Sequence, residues 1–195
     1  EVDKANNYFF LAKQYLTKND TAKYVKAIED GISKYPNSSS NLVVEMINYY
    51  LAKKQQKEAL AYLDKGIAAA PGNASLHYAK GTIYDTDTTL QNKDLAIECY
   101  KKTVEIDSNH FDAYYNMGAI YYNQGAAKNE EANKVDPDDF KTYAKIKKEA
   151  DAIFKKALPY LEKAHELDPK DLPTMQSLKL IYYRTGNLEK SKEMK

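Results

Sequence analysis

Apolar and small residues recur along this chain at steps of three and four, the spacing that gathers them on one face of a helix. Tyr8, Leu11, Ala12 and Tyr15 form the first such stripe, followed by Ile28, Gly31 and Pro36. Val43, Met46, Ile47 and Tyr50 repeat it, with Ala59, Leu63, Gly66 and Pro71 behind them. The third has His77, Gly81 and Tyr84, then Ala96, Tyr100 and Thr103, with Ser108 in the place of proline. In the fourth, Tyr114, Met117, Gly118 and Tyr121 are followed much later by Ala157, Leu161, Ala164 and Pro169. A fifth starts with Met175, Leu178 and Tyr182 and stops partway. The pattern predicts paired helices in segments of approximately 5–39, 40–73, 74–110 and 111–171, with a partial segment at 172–195. One helix pair cannot bury its own apolar stripe, so such units stack on their neighbours.

The run Tyr114-Tyr115-Asn116-Met117-Gly118-Ala119-Ile120-Tyr121 and the run from Ala157 to Pro169 resemble the two helix signatures of the tetratricopeptide repeat family. That family is built on a helix–turn–helix unit of about 34 residues. The resemblance covers nearly the whole chain. It implies an all-α fold, a right-handed helical solenoid over 1–195 of about four and a half repeats. The spacing departs from the period in places. Pro36 to Pro71 is 35 residues, Pro71 to Ser108 is 37, and Ser108 to Pro169 is 61. The first two differences fit in turns, the second within Asp85–Asn92. The third is an insertion at about 126–152.

Two further readings attach to the helix ends and to the insertion. Asp107-Ser108-Asn109 and Asp171 carry capping chemistry ahead of Phe111 and Pro173. Ala126 to Lys134 favours helix and extends the fourth segment's first helix past Gly125. Asp136-Pro137 reads as a new helix start, with Asp136 as the cap. From Phe140 the stripe Tyr143, Ile146, Ala150, Ile153, Ala157 runs into the second helix, which Pro159 is expected to bend. Both helices lengthen together into a hairpin with an acidic tip. It is either a solvated arm or a second docking or dimerisation surface.

Composition narrows the chemistry. Lys+Arg 29 against Asp+Glu 28 leaves a net charge of +1, without the basic excess a polyanion-binding protein shows. Eighteen tyrosines sit mostly at stripe positions, so a nucleic-acid stacking platform is not expected. No apolar run is long enough to span a bilayer. The lone Cys99 excludes a disulfide framework within the chain, and the three histidines fall in different segments. Asp85-Thr86-Asp87 starts like a calcium loop, but Leu90 and Ala96 stand where glycine and glutamate are needed. No catalytic residue, metal or cofactor is expected. The chain opens without methionine and closes mid-pattern, which reads as trimmed at the front and cut at the back. Bacterial cytoplasm and periplasm suit it alike, since no targeting segment is seen. The Tyr, Lys and Asn content suggests a bacterial source.

The resemblance also implies a function: first helices of successive repeats line a concave groove that receives a partner peptide or helix. On that layout Phe9, Lys13, Asn48, Tyr78, Thr82, Tyr115, Asn116, Tyr122, Gln176 and Tyr183 face the groove, with Leu51, Ala119 and Leu180 beside them. Rigid aromatics and amides suit an extended chain. Some members clamp the terminal carboxylate of heat-shock chaperones with fixed lysines and arginines. Here those positions hold Val44, Tyr78, Asp112 and Pro173, so that mode is not expected. The expected role is a non-catalytic protein-interaction scaffold. The alternative is an assembly protein, a homo-oligomer built through the hairpin or the open last repeat.

Overall fold

A computed structural model describes residues 1–194; Lys195 and the side chain of Asn37 lie outside the described residues. The fold is all-α. Among the described residues there is no strand, and ten α-helices follow one another: α1 (Val2–Thr17), α2 (Thr21–Lys34), α3 (Ser40–Ala52), α4 (Gln56–Ala69), α5 (Ala74–Thr86), α6 (Lys93–Ile106), α7 (Phe111–Asn133), α8 (Phe140–Leu167), α9 (Leu172–Arg184) and α10 (Leu188–Glu193). The chain divides into two compact units, Glu1–Lys102 and Thr103–Lys195.

In the first unit most of the predicted stripe positions are buried, while Leu11 is left 39% exposed and Tyr8, Tyr15, Tyr50, His77 and Tyr84 are half-buried. Ala5, Ala12, Tyr24, Ile28, Leu42, Met46, Ala59, Leu63, Leu76 and Ile83 are buried in one cluster. Each large side chain removed from water contributes roughly 1.5–3 kcal/mol, which is what holds helices this short. Side-chain caps start three of them: Asp20 accepts from the Lys23 N–H, Asn73 from the Ser75 N–H and Asn92 from the Leu95 N–H, each at 3.1 Å. Asn19 and Lys54 take positive φ, 55° and 57°, in the tight turns α1–α2 and α3–α4. The small residues on the stripes mark close helix approach. A Cβ added to Gly31 would lie 2.6 Å from Leu42 Cδ1.

The second unit is dominated by the pair α7 and α8, of 23 and 28 residues against 13 for α9. At 1.5 Å per residue these are about 35, 42 and 20 Å long, so the α7–α8 hairpin runs on well past α9. Gly125, Ala132, Ile146, Ala150 and Phe154 are buried along the hairpin. Lys128 pairs with Glu131 at 2.9 Å and with Glu149 on α8 at 3.2 Å. Lower down, Ala157, Leu161, Leu178, Ile181 and Tyr182 close the core. α8 passes through Pro159 as one helix.

Two helix starts differ from the sequence reading. The cap of α8 is Asp139, accepting from the Thr142 N–H at 3.0 Å, and Asp136 instead holds the preceding turn through the Asp138 N–H at 2.9 Å. The cap of α7 is His110, whose Nδ1 accepts from the Ala113 N–H at 3.3 Å, while Asp107 holds the turn through Asn109. In both cases the earlier acid folds an Asx turn, and the helix begins where the apolar stripe begins. Asp171 caps α9 through Thr174 as expected.

Candidate functional site

The groove candidates of the first unit lie on α1, α3 and α5. Lys13 is not a free cation: its Nζ pairs with Glu45 Oε1 at 2.5 Å, on the oxygen that also accepts from the Tyr24 hydroxyl at 2.7 Å. The ammonium lies 5.1 Å from the centroid of the Phe9 ring, which in turn meets Phe10 edge-on. Asn48 is exposed on α3. Tyr78 leans on Tyr100 with centroids 5.6 Å apart, and the Thr82 hydroxyl is spent on the Tyr78 carbonyl at 3.1 Å. Tyr78 and Thr82 nevertheless share one open cleft of about 310 Å³ with Leu51, Gln56 and Ile83.

In the second unit Tyr115 stacks on Phe111, and Tyr122 meets Phe154 edge-on at 5.6 Å. Burial, with Asp171 adding to it, pushes the Tyr115 phenol above its ordinary range. Asn116 is half-buried beside it, and Gln176 and Tyr183 are exposed on α9. Tyr122 contributes more to packing than to a surface. Tyr183 is the reverse, with 66% of its surface exposed.

A cluster that the sequence reading did not single out adjoins Tyr183. Asn129 on α7 accepts on one amide oxygen from Lys147 Nζ at 2.6 Å and from Arg184 Nη1 at 3.0 Å. Arg184, the sole arginine of the sequence, also lies over the Phe154 ring at 5.0 Å. Among the described residues neither cation has an ion pair, so two positive charges converge on a neutral acceptor. Lys147, Asp151, Leu180, Tyr183, Arg184 and Leu188 line an open cleft of about 600 Å³ there. Arg184's being unique was a usable signal. Its partner 55 positions away was not.

Among the described residues no cluster of histidine, cysteine and carboxylates has the makings of a metal site. No helix is long and apolar enough to cross a membrane. Cys99 is half-buried and its thiol is pushed up, chiefly by burial, away from the reactive thiolate.

The sequence profile described as TPR repeat matches residues 90–125. That stretch resembles one tetratricopeptide repeat and covers less than a fifth of the chain. A TPR repeat-containing protein of Methanocaldococcus jannaschii is 36% identical over 72 residues, which is 37% of this chain and 12% of that protein. The chain thus matches only a small part of that relative. The crystal structure of MamA aligns over 98% of this chain and 88% of its own, with a TM-score of 0.65 at 18% identity. The tetratricopeptide protein YrrB, described as having an unusual peptide-binding site, aligns over 96% of this chain and 80% of its own, with a TM-score of 0.60 at 20% identity. At these identities the two structures share the tetratricopeptide fold with this chain.

Proposed function

We propose that this chain is a non-catalytic protein-interaction scaffold that holds a partner peptide or helix on the faces of its first helices. The contact residues are Phe9, Lys13, Asn48, Tyr78 and Thr82 in the first unit and Tyr115, Asn116, Tyr122, Gln176 and Tyr183 in the second. The observation that carries the reading is the set of residues one helical step off the core. There, Tyr78 and Thr82 share an open cleft with Leu51, and Tyr183 shares one with Leu180, each leucine 36% exposed. Such side chains give contact area at low entropic cost and hydrogen bonds to a peptide backbone. That YrrB is described as binding peptide supports the same reading by analogy of fold.

The test is affinity capture from a lysate of the source organism, wild type beside Asn48→Ala/Gln176→Ala/Tyr183→Ala. These three side chains are exposed, so the fold is expected to stay intact. A partner held by wild type and lost by the variant supports the groove. Identical partners on both proteins overturn it.

A second reading is favoured by one observation. Phe140 is 74% exposed and Tyr143 41% exposed on the hairpin, a large apolar surface for an arm with no role beyond solvation. On that reading the chain self-associates through the hairpin.

A further inference from the structure

The face of α8 that α9 covers is apolar over two turns and then left bare. Phe154 on this face is buried under Arg184 and beside Tyr122. Phe140, Ala144, Lys147 and Asp151 continue the same stripe at steps of four and three, toward the hairpin tip. Beyond Arg184, where α9 ends, Phe140 and Ala144 on this stripe are exposed. Phe140 and Tyr143 line an open apolar hollow of about 330 Å³ there with Ala132, Val135 and Pro137. The tip beside it is acidic: Glu130, Glu131, Asp136, Asp138 and Asp139 stand against Lys134.

The inner end of the stripe has the opposite character. Lys147 and Arg184 meet on the Asn129 oxygen without an ion pair, next to exposed Tyr183 and Leu188. Asp151 is the one carboxylate lining that cleft. Two cations this close repel, and a carboxylate placed between them turns the repulsion into attraction. The acidic tip supplies further negative charge to a cleft in which two cations face one carboxylate. It cannot reach its own cleft, since Phe140 and Lys147 are fixed on one helix about 10 Å apart.

We infer that this face is a self-association surface on which the hairpin tip of one copy seats in the Lys147–Arg184 cleft of a second. It rests on the self-association reading and gives that reading its residues. Tip and cleft share one stripe, so two copies with antiparallel α8 segments satisfy both contacts at once. Each Asp138–Phe140 tip then meets its partner's Lys147, Tyr183 and Leu188, an isologous pair in which every contact occurs twice. The apolar residues supply the burial and the charges set the register.

Sedimentation equilibrium of the full chain across protein concentrations tests this, with Phe140→Ser, Asp138→Lys, Lys147→Glu and the Asp138→Lys/Lys147→Glu double variant alongside. All three positions lie outside the core, and Asp138 caps no helix. The expected result is a salt-weakened dimer whose dissociation constant rises about tenfold or more in Phe140→Ser and in each charge reversal. The double variant is expected to recover most of the loss. A monomer at every concentration overturns both the surface and the self-association reading. A dimer indifferent to all four variants overturns this surface while leaving self-association through another face. Partner capture with Asn48→Ala/Gln176→Ala, which leaves Tyr183 in place, is read separately, so the groove reading stands or falls on its own.

Discussion

The Tyr182 hydroxyl donates to Glu162 Oε1 at 2.5 Å, fastening α9 to α8 across the core. The same arrangement recurs along the chain. Tyr24 donates to Glu45 at 2.7 Å, Tyr62 to Glu29 at 2.9 Å and Tyr100 to Asp85 at 3.3 Å. In each case a buried ring fills the space between helices while its hydroxyl reaches a carboxylate nearer the surface. Phenylalanine would fill the same space without fixing the register. These four tyrosines are thus packing side chains with a polar end.

Tyr182→Phe keeps the ring and removes the bond. Hydrogen bonds to charged groups are worth about 1.5–3 kcal/mol, and solvent around the partly exposed Glu162 brings the expected loss down to about 1 kcal/mol. Lys190 still pairs with Glu162 at 3.0 Å, so no charge is left buried and alone. Urea unfolding of the variant beside wild type checks it. A loss of several kcal/mol would mean that the ring itself had been displaced.

The same pair sets an acid limit. Burial raises the Glu162 carboxyl, but the hydrogen bonds from Tyr182 and Lys190 together outweigh it and hold the group below its ordinary value of 4.5. A depressed carboxyl contributes stability that is present above that ordinary value and lost as pH falls through the lower, folded one. Amide exchange across α9 and α10 is therefore expected to speed up in that window. Glu162→Gln should flatten the acid dependence, with less stability at neutral pH. At the alkaline end burial first, and then Glu162, raise the Tyr182 phenol. Its contribution is full below the ordinary tyrosine value near 10 and fades as pH climbs beyond it.

Gly118 is a position where one methyl group decides the packing. A Cβ there would stand 2.6 Å from Leu161 Cδ2 and Cγ and 3.4 Å from the Leu161 backbone nitrogen. Alanine gains about 1 kcal/mol of helix propensity but incurs an overpacking cost of about 1–3 kcal/mol. The net expectation for Gly118→Ala is destabilisation. Gly118→Ala/Leu161→Ala should not recover wild-type stability, because it exchanges the clash for a cavity. Gly72→Ala is the control: no atom lies within 4 Å of its added Cβ, and a change within about 0.5 kcal/mol is expected. Thermal melts of the three variants give the order.

Helix pairing was legible because it is written at short range. Gly31, Gly66, Gly81 and Gly118 stand on stripes with a period of three and four, and the structure puts a neighbouring side chain within 3.1 Å of a Cβ at each. The lengthened hairpin was legible too, since the insertion keeps the same periodicity. What failed was choosing among adjacent cap residues. Asp136 and Asp139 offer the same oxygen chemistry, and only the turn around Pro137 selects between them. The Asn129, Lys147 and Arg184 cluster leaves no local pattern at all, because its members are brought together only after α7, α8 and α9 have packed.

Arg184 joins α9 to the inserted hairpin in two chemically separable ways. Its guanidinium lies over the Phe154 ring, and its Nη1 donates to Asn129. The carbon stem covers apolar surface whatever the charge does. Arg184→Met keeps most of that cover and removes both the charge and the donor. Arg184→Ala removes the cover as well. A face contact of this kind is worth about 0.5–1 kcal/mol where water reaches it and about 2 where it does not. Methionine restores part of that through its sulfur against the ring. If packing dominates, Met is close to wild type and Ala loses about 1–2 kcal/mol more. If the charge dominates, Met and Ala fall together and stability regains its dependence on salt only with arginine present. Asn129 is the control for the hydrogen bond: Asn129→Ala loses the bonds from both Arg184 and Lys147, so in the Arg184→Met background it should cost less than it does alone. Urea unfolding of this cycle at two salt concentrations separates the cases. The packing outcome is expected, because Phe154 is 1% exposed and its burial depends on whatever side chain lies above it.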